Sequence, residues 1–286
     1  MTSRLWLVYA VITTAFWGVW GAFIEIPEKA GFPATLGYSV WALTMVPCAL
    51  VALKIIGFRF EHDVRSALLG SAVGLLGAGG QLILFEALRT GPAYLVFPMI
   101  SMYPVVTVIM SVTLLHERTG RRSWIGIALA LPAVVLLSYQ PPGRAVAEGF
   151  GWLFLATAVA AAWGIQAYVM KFANATMKAE SIFFYMMATA VILIPVALWM
   201  TDFSAPINWG FRGPYLAALI QVLNSIGALT LVYAVRHGKA IVVVPMTALA
   251  PMLTVVISLV LYQVVPHPLV ITGLVLAAGA MVLMAE

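Results

Sequence analysis

Long apolar runs separated by short polar breaks make up this chain from one end to the other. A helix needs about 20 apolar residues, at about 1.5 Å each, to cross about 30 Å of hydrocarbon. Cut at charges and at Gly/Pro punctuation, the first half yields runs at 5–25, 35–56, 66–88, 92–115 and 123–139. The second half yields 150–170, 180–200, 213–235, 239–262 and 267–285. The breaks are too short to hold an aqueous domain. The pattern predicts an all-α integral membrane protein with ten transmembrane helices.

Composition sharpens this. The chain is 63% hydrophobic and 9% charged, where a soluble domain is about 45–50% apolar and about 25% charged. No soluble interior of this size hides so much apolar surface. The first run carries Trp17 and Trp20 and no small-residue cleavage site, so it reads as a retained helix and not a signal peptide. A single cysteine, Cys48, excludes an intrachain disulfide and a cysteine-based metal motif. The net charge of +5 falls in short pieces between apolar runs, which argues for membrane loops and against a nucleic-acid partner.

Those charges orient the chain. Eleven lie on the side that holds both termini: Arg4, Lys54, Arg59, Arg65, Arg118, Arg121, Arg122, Lys171, Lys178, Arg236 and Lys239. Only four, Lys29, Arg89, Arg144 and Arg212, lie on the other side. The positive-inside rule then places both termini in the cytoplasm and the chain in the cytoplasmic (inner) membrane.

The stretch "RTGPAYLVFPMISMYPVVT" (89–107) has a copy, "RHGKAIVVVPMTALAPMLT" (236–254). A shift of 147 residues aligns them without a gap, with twelve identities in the 28 positions from 87 to 114. Shared apolar composition explains matched valines, but not Arg89/Arg236, Gly91/Gly238, Pro98/Pro245 and Pro104/Pro251 in register. The same shift pairs Gly126, Ala130 and Ala133 with Gly273, Ala277 and Ala280, and a small slip pairs "AFWG" (15–18) with "AAWG" (161–164). The chain is a five-helix unit written twice, at 1–140 and 148–286. Because five is odd, the second unit runs inverted through the membrane, as in many secondary transporters with a site between their halves.

These features resemble the drug/metabolite transporter superfamily, and within it the EamA-type family. The resemblance is carried by the "WG" of each first helix, by "FEALRTGPA" (85–93), and by "YPVVTVIMSVTLLHERTGRRSWIGIALALPAVVLL" (103–137), over nearly the whole chain. It implies an exporter or exchanger of small solutes. The second copy departs from it at Val264, which stands where the first has Glu117, so that loop contact is expected on one side only.

Candidate site residues follow from what lipid tolerates. Pro98, Pro104, Pro245 and Pro251 each remove a backbone donor, freeing the carbonyls of Tyr94, Ile100, Ile241 and Thr247 to line a cavity, and a kink there can act as a hinge. Glu86 is the one acidic residue clearly within a run, near its outer end with Arg89 one turn on as its partner; it reads either as half of an interfacial salt bridge or, since an intramembrane carboxylate is costly, as a candidate site for proton coupling. Gln81, Gln166, Gln221 and Asn224 should point inward, either bridging helices or lining a polar path. Trp17, Trp20, Tyr103, Trp163 and Tyr185 supply aromatic surface, and Met99 and Met246 an adaptable apolar wall. The glycines of "GSAVGLLGAGG" (70–80) lack the ending of a phosphate loop and read as helix-packing positions, Gly70 and Gly74 above all. The stripes on the fifth and tenth runs read as packing seams, within one chain or in a homodimer.

No metal, organic cofactor or catalytic cluster is expected, and an enzyme is disfavoured. The leading expectation is a secondary transporter of a small organic metabolite such as an amino acid. A sugar or nucleobase uptake carrier of the same fold, or a non-transporting membrane subunit, are the alternatives. Solute and lipid are the partners expected.

Overall fold

A computed structural model describes residues 4–139, 142, 150–262 and 266–285; Arg144 and Val264 lie outside them. Among the described residues, nine helices are long and apolar enough to span a membrane: α1 (Leu5–Lys29), α2 (Ala34–Ile55), α3 (Val64–Thr90), α4 (Ala93–Thr113), α6 (Gly151–Ala173), α7 (Ala179–Trp199), α8 (Phe211–His237), α9 (Ala240–Leu261) and α10 (Pro268–Ala285). The tenth, α5 (Arg121–Leu137), is a regular helix of 17 residues. All the expected runs are therefore helical. Leu50, Val51, Ile192, Val260 and Val275 are exposed on the outer surface, where lipid is the solvent.

The two units do not stand side by side as separate bundles. α1 packs on α8 and α9 of the other unit, and α6 packs on α3 and α4. α2 joins α8 and α7, α7 joins α3, and α5 joins α10. Each main contact has a counterpart with the units exchanged. The glycines show how close the match is. A Cβ at Gly18 would meet Leu253 and the Ala250 carbonyl, and one at Gly164 would meet their counterparts Val106 and the Tyr103 carbonyl. A Cβ at Gly126 would stand 3.1 Å from the Ala280 carbonyl, and one at Gly273 would stand 3.0 Å from the Leu137 amide nitrogen.

The small-residue stripes of α5 and α10 are thus buried against each other inside one chain, with Ala130, Ala133, Ala277 and Ala280 all at 0% exposure. A homodimer through these faces has no free surface there. Gly70 and Gly74 likewise receive α7: a Cβ at Gly70 would run into the Tyr185 ring, and one at Gly74 would stand 2.8 Å from the Met186 Cα. These are close backbone approaches of the kind that small residues permit in lipid.

The repeated proline segments break their helices at matching places. α4 divides into Ala93–Ile100 and Tyr103–Thr113, and α9 into Ala240–Thr247 and Ala250–Tyr262. Pro98 and Pro245 each lie in the last turn of a first segment, while Pro104 and Pro251 open the second. At each break the backbone tightens to i→i+3 bonds, Met102 N to Met99 O at 3.1 Å and Leu249 N to Met246 O at 3.2 Å. α3 has an irregularity of its own, a π-helical turn over Leu75–Gly79 in the glycine-rich stretch; α8 is regular at the corresponding place.

Because a Cβ at Gly126 would stand within 3.2 Å of the Met284 side chain, the Ala280 carbonyl and the Leu283 Cβ, Gly126→Leu should destabilise the protein by about 1–3 kcal/mol through overpacking. Ala278→Leu, on the exposed face of α10, should leave the melting temperature in detergent unchanged. Equal losses in both variants would remove the seam from the account.

Candidate functional site

Tryptophan indoles on the two first helices, joined on α6 by the Gln166 amide, donate across to the opposite unit. On one side, Trp163 Nε1 donates to the Gly77 carbonyl at 3.2 Å and Gln166 Nε2 to the Val73 carbonyl at 3.1 Å. Both acceptors flank or lie within the π-turn of α3, where the regular helical ladder shifts register and leaves carbonyls for other donors. On the other side, Trp17 Nε1 donates to the Asn224 carbonyl at 3.3 Å. Trp20 Nε1 donates to Gln221 Oε1 at 3.0 Å, which also accepts from Asn224 Nδ2 at 3.4 Å, while Gln221 Nε2 donates to the Gly37 carbonyl at 3.3 Å. Gly80 and Gly227 make room for the two indoles: a Cβ there would stand 2.6 Å from Trp163 Nε1 and 2.5 Å from Trp17 Nε1. Thr107 and Thr254 complete the pattern by donating to the Gly164 and Gly18 carbonyls.

The structure therefore brings Trp17, Trp20, Asn224 and Gln221 into one cluster, and Trp163, Gln166 and Tyr103 into its counterpart. Tyr103 stands edge-on to Trp163 with centroids 6.0 Å apart, and Met99 accepts from Thr157 of α6. Met246 is fully buried. Tyr185 sits apart, its hydroxyl donating to the Glu61 carbonyl at 2.9 Å near the end that holds the termini. Glu86 is locked with Arg89 in a bidentate pair at 2.5 and 2.8 Å.

Two polar groups at the same level are left over. Gln81 is half-buried and, among the described residues, its side chain makes no hydrogen bond. It lies one turn below Phe85 on the face that carries Phe85 and Leu88 into a cleft. Trp41, stacked edge-on to Tyr38 at 5.4 Å, has a buried Nε1 with no partner among the described residues. Counted at about 1.5 Å per residue, both lie about 10–15 Å below the end opposite the termini.

The two ends of the molecule differ sharply. At the terminus end, all eight residues of Ala240–Thr247 are buried. At the far end, only Val96 and Ile100 of the equivalent Ala93–Ile100 are buried. The terminus end is closed by a set of ties. Glu117, from the α4–α5 loop, accepts from the Ala240 and Ile241 amides at 3.2 and 2.9 Å, capping α9 where its dipole is positive. Lys171 Nζ donates to the Val235 and Gly238 carbonyls at 3.0 and 2.6 Å, capping the opposite pole of α8. Asn174 reaches Val232 O at 3.3 Å, Arg236 reaches Met177 O at 2.7 Å, and Lys239 donates to Arg118 O. Tyr9 stacks on Tyr233 at 5.0 Å.

At the far end two clefts open instead. One, of about 480 Å³, lies between α1, α9 and α10 and reaches Glu25, Lys29, Thr254 and Ser258. The other, of about 400 Å³, is lined by Thr35, Phe85, Leu88, Arg89, Met200 and Asp202.

Lys171, Asn174 and Glu61 were not singled out from the sequence, because polar residues at span ends look like orientation signals. Comparing repeat-equivalent positions, Lys171 against Glu25 and Asn174 against Glu28, is the signal that finds the first two. Glu61 accepts from Ser181 Oγ and from the Lys178 amide, at 3.2 Å for the latter, and so ties the α2–α3 loop to α7. Its partial burial works against the charge, but the Ser181 and Lys178 hydrogen bonds prevail and hold its carboxyl below the usual range.

Two tests follow. Trp163→Phe and Trp17→Phe each remove one indole donor and leave a carbonyl unpaired, so each should cost about 1 kcal/mol, read as matched drops in melting temperature. For Glu61 the folded value is depressed, so its stabilisation is present above the unfolded carboxyl value and lost as pH falls through the folded one. Glu61→Gln should flatten the acid limb of the stability curve; an unaltered limb would exclude this tie as its source.

Comparison with known proteins agrees with the architecture. The model of the EamA-like transporter family matches residues 4–139 and again 150–285. An uncharacterized protein of Methanocaldococcus jannaschii is 28% identical over 133 residues, which is 46% of this chain and 95% of that protein, so it has the length of one repeat. A solved crystal structure superposes with a TM-score of 0.80 over 99% of this chain and 96% of its own, at 18% identity, which shows the shared fold. Matched twice and along nearly its whole length, the chain belongs to the EamA-like transporter family.

Proposed function

We propose that this protein is a secondary transporter, an exporter or exchanger of a small organic solute such as an amino acid, working by alternating access. The observation that carries the reading is the unequal state of two repeat-equivalent ends. One sequence pattern is packed shut at Ala240–Thr247 and open at Ala93–Ile100. Exchanging these two states opens one end and closes the other around the shared interface. The prolines sit where each half-helix must swing. Inner-membrane placement with cytoplasmic termini, from the Lys/Arg bias, makes the open end the outer one.

The solute would meet the open cleft first, then Gln81, which offers a free amide beside aromatic surface. Few charges lie at that depth, which suits a neutral or zwitterionic solute with an apolar part. The Glu86–Arg89 pair stands at the mouth and would greet the charged ends of such a solute.

Reconstituted protein should give saturable flux with a panel of amino acids and related metabolites. Gln81→Ala should raise KM about tenfold for the best substrate, as expected for one lost hydrogen bond of about 1.4 kcal/mol. Absence of flux across sugars, nucleobases and amino acids alike would favour a non-transporting subunit.

A further inference from the structure

The tie that closes the terminus end cannot form in the same ionisation state at the far end. The register of the repeat is fixed by packing: Trp6 lies against Gly238 as Trp152 lies against Gly91. It places Glu25 where the second unit has Lys171, and Glu28 where it has Asn174. Lys171 and Asn174 act as donors, to the last carbonyls of α8. Their counterparts are acids, and the matching acceptors on α3 are the carbonyls of Phe85, Leu88 and Gly91. An ionised carboxylate has no proton to donate and would face the negative pole of that helix. A protonated one donates through its O–H.

We infer that closing the far end takes up a proton on Glu25, so that acidity on that side favours the closed state. This rests on the alternating-access reading above and adds a proton site to it. The proton comes from the water in the cleft that Glu25 lines, joins a carboxylate oxygen, and bridges it to an α3 carbonyl. It leaves by the same route on reopening. In the open state Glu25 is ion-paired with Lys29 on its own helix.

The charged surroundings are few. Glu28 lies on the same turn, and Arg212 belongs to the segment Phe211–Tyr215 that packs on Glu25–Lys29. α9 brings no charged side chain to the cleft, its polar groups there being Thr254 and Ser258, and His267, just before α10, packs on Tyr139 with ring centroids 4.6 Å apart. On closure α3 would bring Glu86 and Arg89. Protonating Glu25 frees Lys29 to remain in water, so closure buries no unpaired cation.

Paired reporters test this in a Cys48→Ser background: Ala93→Cys at the far end, and its counterpart Ala240→Cys at the terminus end. As pH is lowered, maleimide labelling at position 93, divided by that of a free thiol at the same pH to remove the falling thiolate fraction, should slow by up to about tenfold per pH unit, the slope of a one-proton linkage, while labelling at position 240, treated in the same way, rises. Glu25→Gln, whose amide donates without a proton, should label slowly at position 93 at every pH, and Glu25→Lys should copy the Lys171 tie with the same result. Glu117→Ala, which removes the cap on α9, asks separately whether the terminus end opens at all. If it does, while Glu25→Gln keeps the wild-type pH slope, the proton site is overturned and alternating access stands. If position 240 stays protected in every variant and at every pH, the two-state reading fails and the proton site with it.

Discussion

Lipid offers no hydrogen bonds, and the broken helices of this protein must therefore find theirs in one another. The decisive interaction is the donation from the first helix of each unit to the third helix of the other. Trp163 and Gln166 serve carbonyls around the π-turn of α3, and Trp17 serves a carbonyl of α8. Neither unit makes its main contacts within itself. Packing α1 against α8 and α6 against α3 joins two short units into one body with a polar interface.

That dependence explains why the glycines recur where they do. Gly80 and Gly227 lie under the two indoles, and Gly18 and Gly164 lie under the second segments of α9 and α4. A side chain at any of them would push the helices apart and lengthen the hydrogen bonds that cross the interface. Packing and polar satisfaction thus act at the same residues. Small residues let the backbones approach, and close approach puts the donors in range.

Much of this was legible in the sequence. The spacing of apolar runs gave the helices, and the proline and glycine register gave the repeat and the places where α4 and α9 break. Trp17 and Trp163 could be paired by eye. The π-turn could not be foreseen, since "GLLGAGG" (74–80) fits a regular helix equally well and only the cross-bonds to Val73 and Gly77 favour the shifted ladder. Nor could the side chains be sorted into ties and linings. Gln166 and Gln81 look alike in the sequence, yet one is bonded across the interface and the other is left over. Tyr185 seemed as well placed as Tyr103 but holds a loop. Such distinctions depend on rotation about a helix axis to within a fraction of a turn, and an apolar stripe facing lipid on one side and protein on the other fixes that rotation poorly.

What makes the two ends of such a molecule unequal is the set of places where its halves disagree. A perfect duplication would leave the two ends equal in free energy, each as ready to close as the other. Here Glu117 caps α9, while position 264 of the second unit is a valine. Tyr103 stacks on Trp163, while Ala250 stands at its counterpart and leaves Trp17 without such a neighbour. Lys171 meets carbonyls that Glu25 cannot meet while ionised. Each difference is a contact that one unit makes and the other lacks. The repeat therefore supplies one plan twice, and a handful of unmatched side chains makes its two ends differ.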